Sequence, residues 1–379
     1  MVTIHPGSAF PRRDGHRAPR YRPAVHLHWF VPSFGDEARL GDPSTAVPPS
    51  LAHLTSVAQA AEAAGFEAML VPAGEACHDG WIVAATLAQH TTTIKFLVAF
   101  RPGFVNPPVA ARMAASLDRL SGGRLLLNVV TGGHPAELAK DGDVDVDHDA
   151  RYRRTEEFLE VVLRSWHERG WDHDGEFFAV RGGGIAQQPK STPHPKIYLG
   201  GASEPAMRAA ARHADVYLMW GEPVERMADR ATQAKAMAAE LGRTIEVGTR
   251  FQVVCRETDE EARVAAEDIV SSIDPAYGER LRSHADHTDS VGQSRQNELR
   301  AVAEGDWLGP TLWNGFARAR LGASVALVGS GPSIKATLDR YVEAGIDTFI
   351  LSGYRHDHEA TRVGRHLMPL LLKDVAASA

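Results

Sequence analysis

Two kinds of segment alternate along the chain: short runs that are apolar at nearly every position, and longer stretches with apolar residues every three or four positions. The clearest example is Lys95 to Gly133, KFLVAFRPGFVNPPVAARMAASLDRLSGGRLLLNVVTGG. Phe96 to Phe100 and Leu125 to Val130 are the runs. Between them Val109, Met113, Leu117 and Leu120 recur at helical spacing, with Pro107-Pro108 at the start and Gly122-Gly123 at the end. Strands apolar on both faces, joined by an amphipathic helix, predict a buried parallel βαβ unit. A right-handed crossover then brings both strand ends to one edge of the sheet, and with them Arg101, Asn128 and Thr131.

The same reading predicts six further strands: Val25 to Val31, Phe66 to Val71, Lys196 to Leu199, Val216 to Trp220, Ile245 to Cys255 and Thr348 to Leu351. Helices are expected over Leu51 to Ala64, Gly80 to His90, Asp149 to Arg169, Glu204 to His213, Pro223 to Leu241, Asp259 to Ser271 and Glu359 to Leu371, and near Leu312 to Arg320 and Ser333 to Ala344. Gly175 to Gly184 reads as a hairpin or loop. Asp274 to Gly309 is polar and without period, which predicts a mobile insertion. Eight strands in alternation with helices, and no GxGxxG after the first, predict a closed (β/α)8 barrel with insertions over residues 24–379. Residues 1–23, with five arginines among Pro, Gly and His, are expected to form a poorly ordered extension.

Composition narrows the function classes. The formal net charge is -7, without long like-charge blocks, which argues against a nucleic-acid surface and gives no reason to expect a membrane one. Cys77 and Cys255 stand far apart and form neither a disulfide framework nor a CxxC metal site. A cytoplasmic enzyme without a metal is the expectation, since no apolar segment follows the arginine pair near the start and none is long enough to span a bilayer.

A barrel keeps its chemistry at the C-terminal ends of its strands. Those ends hold His28 and Phe34, Cys77, Arg101, Asn128 and Thr131, Ser203, Trp220, Arg250 and Gln252, and Tyr354 and His356. Gly200-Gly201-Ala202-Ser203 before a helix is either a turn with Ser203 as N-cap or a set of free amides for a phosphate. His148 and Tyr152, four apart, share one face of a helical turn, an arrangement that local packing also produces. Arg250 stands inside an apolar strand, where an arginine is rare unless it meets an anion.

Several stretches together carry a resemblance. They are PGFVNPPVAARMAASLDRLSGGRLLLNVVTGG, DHDARYRRTEEF from Asp147, IYLGGAS from Ile197, VYLMWGEP from Val216, HTDSVGQ from His287, TLWNGFARARLGASVALVGSGP from Thr311 and DTFILSGY from Asp347. From Val25 to Leu371 the chain resembles the bacterial luciferase-like flavin monooxygenases, and within them the two-component alkanesulfonate monooxygenases that use reduced FMN. The resemblance implies that His148, Tyr152, Gly201, Ala202 and Ser203 hold the FMN phosphate region, and that Ala99, Asn128 and Thr131 lie along the flavin ring. It implies a pocket above the ring made by Trp220, Arg250, Gln252, Arg320, Tyr354 and His356, with Cys77 at its edge. It further implies reduced FMN from a separate NAD(P)H-dependent flavin reductase, an organosulfonate substrate cleaved with dioxygen to an aldehyde and sulfite, and a homodimer or homotetramer.

Two positions depart from that pattern. The sulfonate branch usually has histidine where this chain has Gln252, and Phe34 stands where a first-strand loop histidine is usual, with His28 in place of an aromatic. Glutamine keeps hydrogen bonding but carries no proton near neutral pH. A sulfosugar or a sulfone is therefore a substrate alternative. A deazaflavin-dependent oxidoreductase and a non-catalytic flavin-binding relative are the alternatives of class.

Overall fold

The computed structural model describes residues 25–371, apart from 134, 145–146, 275, 277–278 and 280–289. The extension expected over residues 1–23 lies outside them. Numbered in chain order, eight strands pair in parallel around a closed ring. They are β1 (His26–Phe30), β2 (Ala68–Val71), β3 (Lys95–Phe100), β4 (Leu125–Val129), β7 (Ile197–Gly200), β8 (Val216–Trp220), β9 (Glu246–Arg256) and β12 (Thr348–Ser352), which returns to β1. The apolar runs predict these strands because both of their faces are covered. One set of side chains, including Phe30, Leu70, Leu97, Ala99, Leu126, Tyr198, Leu218 and Ile350, fills the lumen. The alternate set meets the outer helices in the main core.

The outer helices start where capping residues stop the loops. Ser50 caps α1 (Leu51–Ala64), Asp79 caps α2 (Gly80–Leu87), Asp147 caps α5 (His148–His167) and Ser203 caps α6 (Glu204–His213). Helix α3 (Pro107–Leu120) follows β3, α7 (Val224–Glu240) follows β8, and α8 (Asp259–Val270) opens with a capping box of Thr258 and Glu261. Helices α10 (Gly331–Glu343) and α11 (His356–His366) flank β12.

The structure corrects the sequence reading in four places. Leu312 to Arg320 is not a helix: β10 (Leu312–Trp313) runs antiparallel to β11 (Ala326–Ser330), and a 3-10 turn follows at Gly315–Arg318. Trp313 and Phe316 are fully buried against α8, so their spacing reflects a satellite core rather than a helical face. Strand β11 was not expected; it pairs with Gln252 to Arg256, beyond the part of β9 that β8 covers. Its apolar run is the four residues Val325 to Val328, between Ser324 and Gly329. A short helix α4 (Pro135–Lys140) lies between β4 and α5, and the hairpin is β5 (Trp171–Asp174) with β6 (Ala179–Gly183). The insertion, read as aperiodic, contains helix α9 (Val291–Val302).

Candidate active site

A cavity of about 420 Å³ opens at the C-terminal ends of the strands. Its floor is the top lumen layer, Leu70, Ala99, Asn128, Leu218 and Ile350. Register explains the grouping: Trp220 pairs with Arg250 and Arg250 with Ile350, so these side chains emerge at one level on the lumen side.

One end is built on the turn into α6. Gly201 has φ +152°, and a Cβ there would come within 2.8 Å of the Tyr152 hydroxyl and 2.5 Å of Ala206 Cβ. The turn therefore needs glycine, and its backbone is open to the cavity. Tyr217 donates from its hydroxyl to the Gly201 carbonyl at 2.6 Å, and Ser203 Oγ accepts from the Ala206 amide at 3.4 Å. Ser203 is thus both N-cap and cavity lining. His148 packs edge-on against Tyr152, ring centroids 5.0 Å apart, with Nδ1 2.9 Å from Asp149 Oδ1.

The other end is built around Arg250. Its guanidinium sits 4.2 Å above the Phe30 ring, and Nε and Nη2 are buried with no hydrogen-bond partner. Burial pushes it down to about 9, and the nearby Arg320 charge acts in the same direction. Arg320 itself is held loosely, with Nη1 3.5 Å from the Tyr354 hydroxyl and Nε 3.5 Å from the Leu321 carbonyl. Burial raises the Tyr354 phenol, so it keeps its proton at neutral pH. Phe316 fixes the Tyr354 ring at 4.9 Å.

Between the two ends, Asn128 Oδ1 is buried without a partner. The insertion forms part of the cover, where Ser290, Val291, Gly292 and Gln293 line the cavity. A Cβ at Gly292 would lie 3.3 Å from the Trp220 ring and one at Gly322 3.7 Å, so two slim residues let the loops rest on the indole. Gln293 Oε1 accepts from the Gly322 amide at 2.8 Å, which ties the insertion to the segment after Arg320. Residues 280–289 of the insertion lie outside the described residues.

The structure thus brings Ala99, Asn128, Thr131, His148, Tyr152, Gly201, Ala202, Ser203, Trp220 and Arg250 into one cavity. Arg320 and Tyr354 stand behind Arg250. Five residues expected in the pocket do not line the cavity: Arg320, Tyr354, Gln252, His356 and Cys77. Gln252 is buried with both ends used, donating to the Ala323 carbonyl at 3.2 Å and accepting from Ser352 Oγ at 2.9 Å. His356 is committed to Asp36, with Nδ1 2.9 Å from Oδ1 and its amide 2.8 Å from Oδ2, while His53 Nε2 reaches the same carboxylate at 3.0 Å. Burial alone would raise the Asp36 carboxyl, but the two histidines outweigh it and hold it at about 2. Cys77 is half-buried, and burial pushes its thiol up. Phe34 is exposed, edge-on to Phe30, and His28 is buried in the lumen, pushed down by burial to about 4.

The luciferase-like monooxygenase family model matches residues 25–348. The chain belongs to the luciferase-like monooxygenase family. Members of known structure share its fold. A riboflavin lyase, crystallised with a modified FMN and riboflavin, superposes with a TM-score of 0.77 at 21% identity, over 93% of this chain and 92% of that one. The EDTA monooxygenase of Chelativorans sp. BNC1 gives 0.74 at 20% over 93% and 94%. A long-chain alkane monooxygenase gives 0.71 at 21% over 93% and 92%. For a luciferase-like monooxygenase, the lining residues that the sequence reading did not name include the charged Glu137, Glu222 and Arg230. Arg230 carried a legible signal, for it falls on the apolar stripe of α7 made by Met227, Ala231, Ala234 and Ala238. Among the described residues no helix is long and apolar enough to cross a membrane, and no cluster of His, Cys, Asp and Glu is placed to hold a metal.

Proposed function

We propose that this luciferase-like flavin-dependent monooxygenase takes FMN, reduced by a separate NAD(P)H-dependent flavin reductase, and cleaves the C–S bond of an organosulfonate to an aldehyde and sulfite. The carrying observation is Arg250. A buried guanidinium without a partner costs the empty protein several kcal/mol in desolvation, and an anion that meets it removes that cost. A neutral sulfone would leave the charge unpaired, which favours a sulfonate.

The residues present fit the cofactor. The turn at residues 200–203 presents its backbone to the cavity, at the head of a ten-residue helix whose amides suit a phosphate. The orphaned Asn128 Oδ1 offers an acceptor midway along the floor, where a flavin ring edge presents N–H donors. Bound reduced FMN supplies the oxygen-activating chemistry. The chain's own residues do the rest. Arg250 and Arg320 hold the sulfonate oxygens, and a planar guanidinium grips two at once. Phe30, Leu70, Trp220 and Ile350 keep water from the reacting carbon. Tyr354 holds a proton at its hydroxyl, steered by Arg320.

The test is sulfite release from a panel of alkyl and sugar sulfonates, with FMN, a flavin reductase, NAD(P)H and air. Sulfite from at least one sulfonate, and none from the matching sulfones, is the expected result. Flavin oxidation without sulfite from any sulfonate would remove this reading, and tighter binding of a deazaflavin than of FMN would replace the cofactor.

A further inference from the structure

Glu222 follows Trp220 and Gly221 and turns its carboxylate into the protein, where it is only 2% exposed. Two guanidiniums meet it. Arg230 comes from α7 through Nη2, and Arg295 from α9 with Nε at 2.8 Å and Nη2 at 2.6 Å. Two cations on one carboxylate leave one positive charge in the cavity wall. Arg230 is 8% exposed, lines the cavity, and has its Nε buried without a partner. It shares that cavity with Tyr152 and with the turn into α6, where Tyr217 bonds the Gly201 carbonyl.

Arg295 belongs to the other side of the cavity. It lies two residues past Gln293, the last lining residue of the insertion, and on the same helix Gln296 donates to the Gly221 carbonyl at 3.0 Å. Ser324 in turn donates to Gln296 Oε1 at 3.2 Å. The cover over the cavity is therefore fastened next to the residue that orients Arg230.

We propose that Arg230 is a ligand for the phosphate of FMN, and that Glu222 is a positioning residue that couples the phosphate to the cover through Arg295. This rests on the flavin reading above. When an anion draws on Arg230, more of the Glu222 charge is left to Arg295, and α9 is held more firmly. Linkage makes the effect mutual: a fastened cover raises phosphate affinity by the same factor. Riboflavin, without a phosphate, engages neither arm.

The experiment titrates FMN and riboflavin into the full chain and into Arg230→Gln, Arg230→Lys and Arg295→Gln, with amide hydrogen exchange followed over Val291–Val302. Arg230→Gln is expected to lose FMN affinity by roughly ten- to a hundredfold, the worth of a charge-assisted hydrogen bond, and to leave riboflavin unchanged. Arg230→Lys should recover part of the loss. FMN, and not riboflavin, should slow exchange in α9 of the wild-type chain, and Arg295→Gln should abolish that slowing while FMN still binds. Equal loss for both flavins in Arg230→Gln would reduce Arg230 to a structural residue and overturn the proposal. So would equal protection of α9 by the two flavins, or protection that persists in Arg295→Gln. Failure of the wild-type chain to bind either flavin would overturn the flavin reading itself, whereas FMN binding indifferent to Arg230→Gln would overturn this inference alone.

Discussion

The two ends of the cavity are held in place by opposite means. At the head of α6 most polar groups already have partners: Ser203 caps its helix, Tyr217 bonds Gly201, His148 meets Asp149, and Glu222 holds Arg230. That end is shaped by its own hydrogen bonds and presents backbone to the cavity. At the other end Arg250 has a ring beneath it and no hydrogen bond, with a second guanidinium close by. The first end supports the fold. The second carries a buried, unpaired charge, an arrangement that opposes stability in the empty protein.

The largest test of this contrast is Arg250→Met. Turnover should fall by about a hundredfold or more, as when a charged anchor is lost, while stability against denaturant rises by about 1–4 kcal/mol. The pH dependence has a definite sign. With the folded group at about 9, below the ordinary arginine range, the unfolded chain binds more protons above that pH. Stability from this group therefore rises with pH above 9, and Arg250→Met removes that slope. A less stable Arg250→Met would place the arginine among the fold's supports.

Next in size is Asp36→Asn, behind the same end, where His356 packs 5.7 Å from the Phe30 ring that carries Arg250. Removal of one partner from a buried charged cluster should cost about 3 kcal/mol, read by urea unfolding at neutral pH. The Asp36 contribution is fully present above 3.8 and is lost as pH falls through about 2, so the variant should lose less stability than the wild type in that window. Gly201→Ala sharpens the contrast from the opposite end. The added methyl meets Tyr152 and Ala206, and a cost of about 1–3 kcal/mol with weakened FMN binding is expected. The smallest effect belongs to Gln252→Ala: about 1–2 kcal/mol for two buried hydrogen bonds, with FMN affinity unchanged. A selective loss of flavin or sulfonate binding in that variant would return Gln252 to the site.

How much of this was legible in the chain follows from the same physics. The eight barrel strands could be read because burial on both faces writes unbroken apolar runs, and α1 was bounded to the residue by Ser50 and Gly65. Strand β11 was missed although Val325 to Val328 is an apolar run of the same kind, and Trp313 and Phe316 imitate a helix while filling a satellite core. The cavity residues on strand ends were found by position alone. Glu222 was missed because Arg295 meets it from 73 residues further along, a separation no local pattern reports, whereas Arg230 could have been read from its place on the buried stripe of α7. Gln252 and His356 were assigned to the pocket from neighbouring positions, whereas their hydrogen bonds turn them toward Ser352, Ala323 and Asp36.

The Asp36 cluster also bears on how the chain is made. Its carboxylate joins a loop near the start of the barrel to His356, 320 residues later. While the chain grows from the ribosome, Asp36 waits with at most one of its two histidines, and β1 waits for the edge of β12. The ring then closes around two late arrivals, strand and imidazole together, in one step of very long sequence separation. A nascent or truncated chain that stops short of β12 leaves the edge of β1 open, with the Asp36 carboxylate in the loop that follows it, and a charge near the edge hinders edge-to-edge association until β12 docks.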